Sequence, residues 1–345
     1  MKIKMKISAI LVSVVLIFIG CDPVESENPQ GGDDNPPIEQ PDDTDDENPD
    51  DGKPDEPTEK PITDGSIFNI QINDDIMAIV GTNTWNAIAC GNGRYVAVGS
   101  DGQIAYSTNG TSWTSKIVGS SNYSWQKVIY VNNRFVAAFA GNLGTIYNPE
   151  YCLVVATSTN GETWNILPTV SGNGVVSIAY GNGMYAIMDG NGKLYTLSDS
   201  GQNLVRVNNY PLTSGNVLYA KGKFYFIAYE KLCTSADCKT FSGVQTISNS
   251  RAYNFLGYNE SNKAFIANDA SQPSAPYVST DDCITWNPIF EERNVMLFST
   301  SKDASIAVLG KNNTPNEQYL ISFDLKTWET YYFDEPTILN CICII

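Results

Sequence analysis

Short apolar runs separated by turn residues recur along the chain from residue 85 onward. In the first stretch, Ala87-Ile88-Ala89-Cys90 leads into Gly91-Asn92-Gly93, and Tyr95-Val96-Ala97-Val98 follows. A third run, Ile104-Ala105-Tyr106, leads into Ser107-Thr108-Asn109-Gly110-Thr111-Ser112-Trp113. Runs of β-branched and aromatic residues bounded by Gly, Asn and Asp read as strands. Asn-Gly pairs supply the positive φ values that tight hairpins need. The stretch therefore predicts two strands joined by a tight hairpin, then a third strand ending in a polar turn and an aromatic ring.

The unit recurs six times, over residues 85–124, 125–174, 175–215, 216–250, 251–291 and 292–334. Later two-strand openings are Val128 to Ala138, Ile178 to Ile187, Leu218 to Ile227, Phe255 to Ala267 and Val295 to Leu309. The polar turns align as Ser107 to Trp113, Ser158 to Trp164, Ser198 to Leu204, Ser235 to Phe241, Thr280 to Trp286 and Ser322 to Trp328. A period of about 40 residues built from strands predicts an all-β propeller of four-stranded blades. Thr337 to Ile345 matches the first strand of a further copy that stops there, and Ser66 to Ile72 and Ile76 to Val80 supply strands before the first copy. Joined, these segments form a seventh blade that closes the ring and removes exposed sheet edges. A six-bladed ring with the same segments as extra outer strands is the alternative.

In the polar turns, a Ser and an Asn or Asp side chain can bond the turn backbone while the aromatic ring folds back over the hairpin. The residues that carry this pattern are Ser107, Asn109, Gly110 and Trp113; Ser158, Asn160, Gly161 and Trp164; Asp237 and Phe241; Asp282 and Trp286; and Asp324 and Trp328. The turns resemble the Asp-box of sialidase-type (BNR-repeat) propellers, in a form one residue shorter than the usual pattern, across residues 85–334. The resemblance implies architecture and not catalysis, because Asp-box turns are structural in that family.

The first 20 residues differ in character. Lys2, Lys4 and Lys6 precede an apolar stretch from Ile7 to Ile19, too short for a spanning helix, and Gly20-Cys21 follows. This reads as a removable export signal. Phe18-Ile19-Gly20-Cys21 resembles the lipobox of bacterial lipoproteins, which implies lipidation of Cys21. Acyl chains would then hold the protein on a membrane. Asp22 to Asp64 carries 17 acidic residues against two basic ones. Such a segment buries too little apolar surface to offset ordering, so a disordered, extended tether is expected over residues 21–64. A weak Ca²⁺ role for Asp42 to Asp51 lacks the spacing of an EF-hand loop, and no metal site is expected. Acidic residues after a lipidated Cys loosely resemble the surface-export signal of Bacteroidetes lipoproteins. The expected location is the outer membrane, with outward display and a periplasmic orientation as the two alternatives.

The net charge of −17 is concentrated in the tether, and residues 65–345 carry only about −5 of it. No basic stripe exists, which argues against a nucleic-acid partner. The chain has no His, which removes His-based acid–base and nucleophile chemistry. Of its eight Cys, Cys233 and Cys238 flank one turn and could bridge, whereas Cys341 and Cys343 sit on one strand face in poor geometry for pairing with each other. No cofactor is expected.

In a propeller, the turns between strands one and two and between three and four share one face, here the face of the Asn-Gly and Asp-box turns. The opposite face carries the loops that vary, with insertions at Ala140 to Tyr151, Asn268 to Pro276 and Gly310 to Gln318. Function tends to sit on such loops. Tyr123, Tyr147, Tyr151, Asp189, Tyr210, Arg251, Glu291 and Glu292 fall on or near that face, and aromatic rings with carboxylates suit a glycan or protein ligand. Sialidase chemistry needs three arginines around a substrate carboxylate. Arg94, Arg134 and Arg206 belong to the other face, leaving Arg251 and Arg293, so no catalytic residues are assigned. The sequence thus points to a non-catalytic binding module. A glycoside hydrolase or lyase using Asp189, Glu291 and Glu292, and a scaffold using the rim of the ring, are the alternatives.

Overall fold

The computed structural model describes residues 60–62, 67–74, 76–81, 84–174, 176–247, 253–269, 272–290, 295–310, 316–337 and 339–345. The leader, Cys21 and nearly all of the acidic tether lie outside them.

Seven antiparallel sheets follow one another along the chain. Blade 1 consists of Trp85–Gly91, Arg94–Gly99, Gln103–Ser107 and Trp113–Ile117. The first of these is the inner strand, and the same order holds in blades 2 to 6, whose inner strands are Lys127–Val131, Ser177–Gly181, Asn216–Ala220, Tyr253–Asn259 and Val295–Thr300. Blade 7 joins the two ends of the domain. Cys341–Ile344 is its inner strand, pairing with Met77–Gly81, which pairs in turn with Ile67–Gln71. The seventh blade expected from the terminal segments is thus present, built from three strands where blades 1 to 6 use at least four. One segment departs from the expected tether: Lys60–Ile62 adds to the outer edge of blade 1 by pairing with Trp113–Ile117. Lys60, Pro61 and Ile62 sit opposite Ser115, Thr114 and Trp113, which covers an edge that would otherwise be open.

Each blade is covered by a neighbour on both faces, which explains why its second strand is apolar without alternation. Val96, Ala97 and Val98 are all fully buried. Val96 and Val98 face Trp125, Val128 and Phe135 of blade 2, while Ala97 packs with Ile79, Trp85 and Cys341 towards blade 7. The same clusters recur between blades 2 and 3 around Tyr185, and between blades 3 and 4 around Phe224 and Phe226. Each fully buried large side chain contributes roughly 1.5–3 kcal/mol.

The Gly-Asn-Gly hairpins divide their labour. In Gly91-Asn92-Gly93 the second and third residues take positive φ, 51° and 66°, as a tight hairpin requires. The first glycine serves packing: a Cβ on Gly91 would fall inside the Tyr130 ring of blade 2, 1.8 Å from its nearest atom. Gly181 is similarly capped by Tyr219 of blade 4, at 2.0 Å.

Candidate functional site

The Asp-box face is built by one repeated hydrogen-bond pattern. Ser107 Oγ accepts the backbone N–H groups of Asn109 (3.2 Å) and Gly110 (2.8 Å) and donates to Asn109 Oδ1. Asn109 Oδ1 accepts the N–H groups of Thr111 (3.0 Å) and Ser112 (2.8 Å). Ser158 and Asn160, and Ser322 and Asp324, repeat it. In the blade 4 turn, Ser235 pairs with Asp237 and reaches the Thr240 carbonyl as well. Gly110, Gly161, Cys238, Cys283 and Leu325 occupy the left-handed position of their turns.

Blade 5 corrects the sequence alignment. Its box uses Ser279 and Asp281, not Thr280 and Asp282: Ser279 donates to Asp281 Oδ1 at 2.8 Å, and Cys283 N–H donates to Ser279 Oγ at 3.0 Å. This turn is one residue longer than the others, so counting back from Trp286 by the shorter spacing lands one residue late. Asp282 instead pairs with Lys221 at 2.5 Å and lies 3.4 Å from the Tyr225 hydroxyl. In blade 3, Ser198 forms the turn through its backbone, its carbonyl accepting Gly201 N–H, and Leu204 packs into the core beside it.

Backbone donors lower the carboxylates of these turns. The N–H groups of Thr327 and Lys326 hold Asp324 at about 2, and those of Thr240 and Lys239 hold Asp237 below its ordinary value. Burial acts to raise Asp281, and hydrogen bonds from Thr285 and Ser279 outweigh it.

On the opposite face the long connection of blade 2 stands out. Arg134–Asn142 and Tyr151–Ser158 extend into a hairpin arm. Asn142 Oδ1 accepts the N–H groups of Gly144 (2.9 Å) and Glu150 (2.8 Å), and Leu143 N–H donates to the Glu150 carbonyl. The arm is thereby held in shape while presenting Ile146 and Tyr147 to solvent at 84% and 93% exposure, with Tyr151 at 48%. Tyr229, at the tight turn between the second and third strands of blade 4, is 64% exposed on the same face. Sequence reasoning missed it because that blade carries no insertion there; its signal was a bulky residue at a turn position where Gly or Asn is usual.

Three residues assigned to this face have structural duties. Tyr123 stacks on Phe139 (5.8 Å) and meets Trp125 edge-on (5.6 Å). Tyr210 packs against Phe226 and Phe241, and its hydroxyl donates to the Ser214 carbonyl at 3.3 Å; burial pushes its pKa up. Asp189 is fully buried, and its carboxylate accepts the N–H groups of Asn173 (2.9 Å), Asn191 (3.1 Å) and Lys193 (2.6 Å). It ties two loops together and is closed off from solvent. Arg251, Glu291 and Glu292 lie outside the described residues. The structure therefore brings Tyr147 and Tyr151 together on one arm and withdraws Tyr123, Tyr210 and Asp189 into the scaffold.

Near the same face, polar side chains link successive inner strands. Asn86 donates to the Trp125 carbonyl (2.9 Å), Ser177 bonds Val217, and Asn216 donates to Asn254 (2.9 Å). The arginines of the Asp-box face are engaged separately. Arg206, read from the sequence as one of them, stands instead opposite Tyr195 beside the 189–193 loop, towards the variable-loop face, and lies over the Tyr195 ring. On the Asp-box face, Arg94 pairs with Glu162 and lies over Tyr106, and Arg134 bonds the Asp199 carbonyl and Thr157. An open groove of about 870 Å³ on that face is lined by Asn132, Arg134, Asn160, Trp164, Asp199 and Gln202, among others. Among the described residues no group of three His, Cys, Asp or Glu converges as a metal site.

The sequence matches no protein-family model and no curated protein. Solved structures share the fold. The chain is similar to "YCF48 bound to D1 peptide", with a TM-score of 0.52 and 14% identity over 75% of this chain and 86% of that one. It is also similar to the WD40 β-propeller domain of Doa1, with a TM-score of 0.53 and 11% identity over 76% and 87% of the two chains. These likenesses show the β-propeller fold, and the strand pairing of this chain gives it seven blades.

Proposed function

We propose that this protein is a lipid-anchored envelope propeller that binds a protein or peptide partner through the blade 2 arm. The observation that carries the reading is the pairing of rigidity with exposure at Ile146 and Tyr147. An arm fixed by Asn142 and tipped with apolar and aromatic side chains has already lost the freedom that binding would otherwise cost. Aromatic anchors of this type dominate protein interfaces. That a propeller of the same fold holds a D1 peptide makes a peptide-sized ligand compatible with the ring. A glycan is the second reading, favoured by the two tyrosines. Engagement of Asp189 by three backbone N–H groups counts against a hydrolase that uses it. Anchoring rests on the sequence around Cys21, and a C21S variant is expected to leave the membrane fraction.

The test places a photo-crosslinking amino acid at Tyr147 of the full chain in its native cells, with one at the exposed Thr111 of the Asp-box face as control. A protein adduct of defined mass from position 147, absent from 111 and lost in a Y151A background, supports the reading. No adduct together with a glycan-array hit that Y147A abolishes would replace it with the glycan reading.

A further inference from the structure

The ring closes where the last strand, Cys341–Ile344, meets Trp85–Gly91 of blade 1. No backbone ladder joins these strands, because each pairs within its own blade. Their contact is made by side chains. Cys341 Sγ and Ile88 Cδ1 lie 2.7 and 3.2 Å from the point where a Cβ on Gly81 would stand. Two residues further along each strand, on the same faces, come Cys343 and Cys90. There Cys343 and Cys90 face each other across the seam, Cys343 packing on the same cluster as Ile88 and Cys341.

We propose that Cys90 and Cys343 form an inter-blade disulfide that covalently locks the ring, made by thiol–disulfide exchange with a small-molecule or protein disulfide. The Cys90 thiolate attacks one sulfur of the oxidant, forming a mixed disulfide and releasing one thiolate. Cys343 then attacks Cys90 Sγ and releases the second. Two protein thiols are oxidised, one oxidant disulfide is reduced to two thiols, and the two protons lost by Cys90 and Cys343 pass to the departing thiolates.

The surroundings select this pair. Both thiols are partly exposed, so an oxidant can reach the pair, and exchange that opens at Cys90 is resolved by Cys343 across the seam. Lys127 opens the inner strand of blade 2. Its exposed ammonium favours the thiolate of Cys343. Of the other described thiols, Cys233, Cys238 and Cys341 are buried and pushed up to about 12 and Cys283 is pushed up further, while Cys152 is partly exposed on the blade 2 arm, away from the seam. Cys233 and Cys238, which could bridge across their turn, are free and buried in the core, whereas Cys90 and Cys343, also free, are partly exposed. Cys341 and Cys343 stand about 7 Å apart along one strand and cannot reach each other.

The bridge would enclose a loop of about 250 residues and hold a blade whose inner strand arrives last in the sequence. The test treats the full chain, in mild detergent, with oxidised glutathione or with dithiothreitol, then alkylates free thiols and maps peptides without reduction. The expected result is a peptide carrying Cys90 joined to one carrying Cys343, with an unfolding midpoint raised by about 5–10 °C over the reduced protein. Slower hydrogen exchange in Cys341–Ile344 is expected alongside, and C90S should lose both effects. The comparison of oxidised with reduced wild-type protein needs no substitution and stands if C90S fails to fold. Persistent alkylation of Cys90 and Cys343, glutathione adducts without the cross-link, or a cross-link that leaves the midpoint and exchange unchanged would each overturn the proposal.

Discussion

Trp286 donates its indole N–H to the carbonyl of Cys283 at 3.1 Å, closing the blade 5 turn from above. Trp113 and Trp164 make the same bond to Gly110 and Gly161, each at 3.0 Å. Trp328 occupies the corresponding place in blade 6, yet its Nε1 is buried without a hydrogen-bond partner. The ring is kept there by packing against Phe290 and Phe298. Trp286→Phe should therefore cost about 1–2 kcal/mol, because a buried carbonyl loses its donor. Trp328→Phe removes an unsatisfied donor and should cost less than about 1 kcal/mol. Urea denaturation of the two variants checks the order, and a larger loss at Trp328 would refute it.

The blade 5 turn distinguishes Asp281 from Asp282. D281A removes the acceptor of Thr285 N–H and the Thr285 hydroxyl, at 2.9 and 2.6 Å, and should lower the melting temperature measurably. D282A removes an exposed pair with Lys221 and should leave it near that of the parent. Differential scanning fluorimetry of both variants reads the contrast.

Acid should loosen the Asp-box face in a defined window. Asp324 titrates at about 2 in the fold against an ordinary 3.8. A depressed folded pKa means that the protonated form is favoured in the unfolded chain, so the contribution is complete above about 4 and fades as pH falls towards 2. D324N, which copies the Asn of blades 1 and 2, should flatten stability against pH across that window. Carboxyl NMR titration of Asp324 with acid-denaturation curves tests this, and an Asp324 midpoint near 3.8 would contradict it.

Asp189 is predicted to matter for folding and not for binding. D189A leaves three backbone N–H groups without their acceptor and should cost about 2–4 kcal/mol. Y147A and Y151A, at exposed positions, should change stability by less than about 0.5 kcal/mol. Melting curves set beside ligand capture at a temperature where all variants are folded separate the two roles.

Gly181 and Tyr219 offer a test of inter-blade packing. A methyl group on Gly181 would strike the Tyr219 ring, whose hydroxyl is anchored to Asn182 at 2.7 Å. G181A should cost about 1–3 kcal/mol, and the double variant G181A/Y219A should recover part of it. Additive losses in the cycle would show that the glycine serves the hairpin alone.

The sequence by itself determined the strands, the hairpins and the Asp-box turns outside blades 3 and 5, and it marked the two ends of the domain as strands able to close a seventh blade. Each rests on interactions within a few residues: positive φ at Asn92 and Gly93, and a Ser and an Asn bonding the turn backbone at Ser107 and Asn109. Repetition then multiplied a weak local signal into a fold. Only the tertiary structure decided what each side chain meets. Tyr123 and Tyr210 read as exposed loop aromatics, but Phe139 and Phe226 lie over them, and the sequence has no period that marks a ring as covered. Asp189 read as a surface acid because its partners in residues 173–193 are backbone N–H groups, which look alike at every position. Gly91 read as a turn residue because its constraint, the ring of Tyr130, comes from the next blade. Cys90 and Cys343 are brought together by ring closure, a contact between strands at opposite ends of the domain that share no hydrogen-bond ladder. Local backbone chemistry is written within one repeat, whereas burial and pairing depend on a neighbour that only the closed ring supplies.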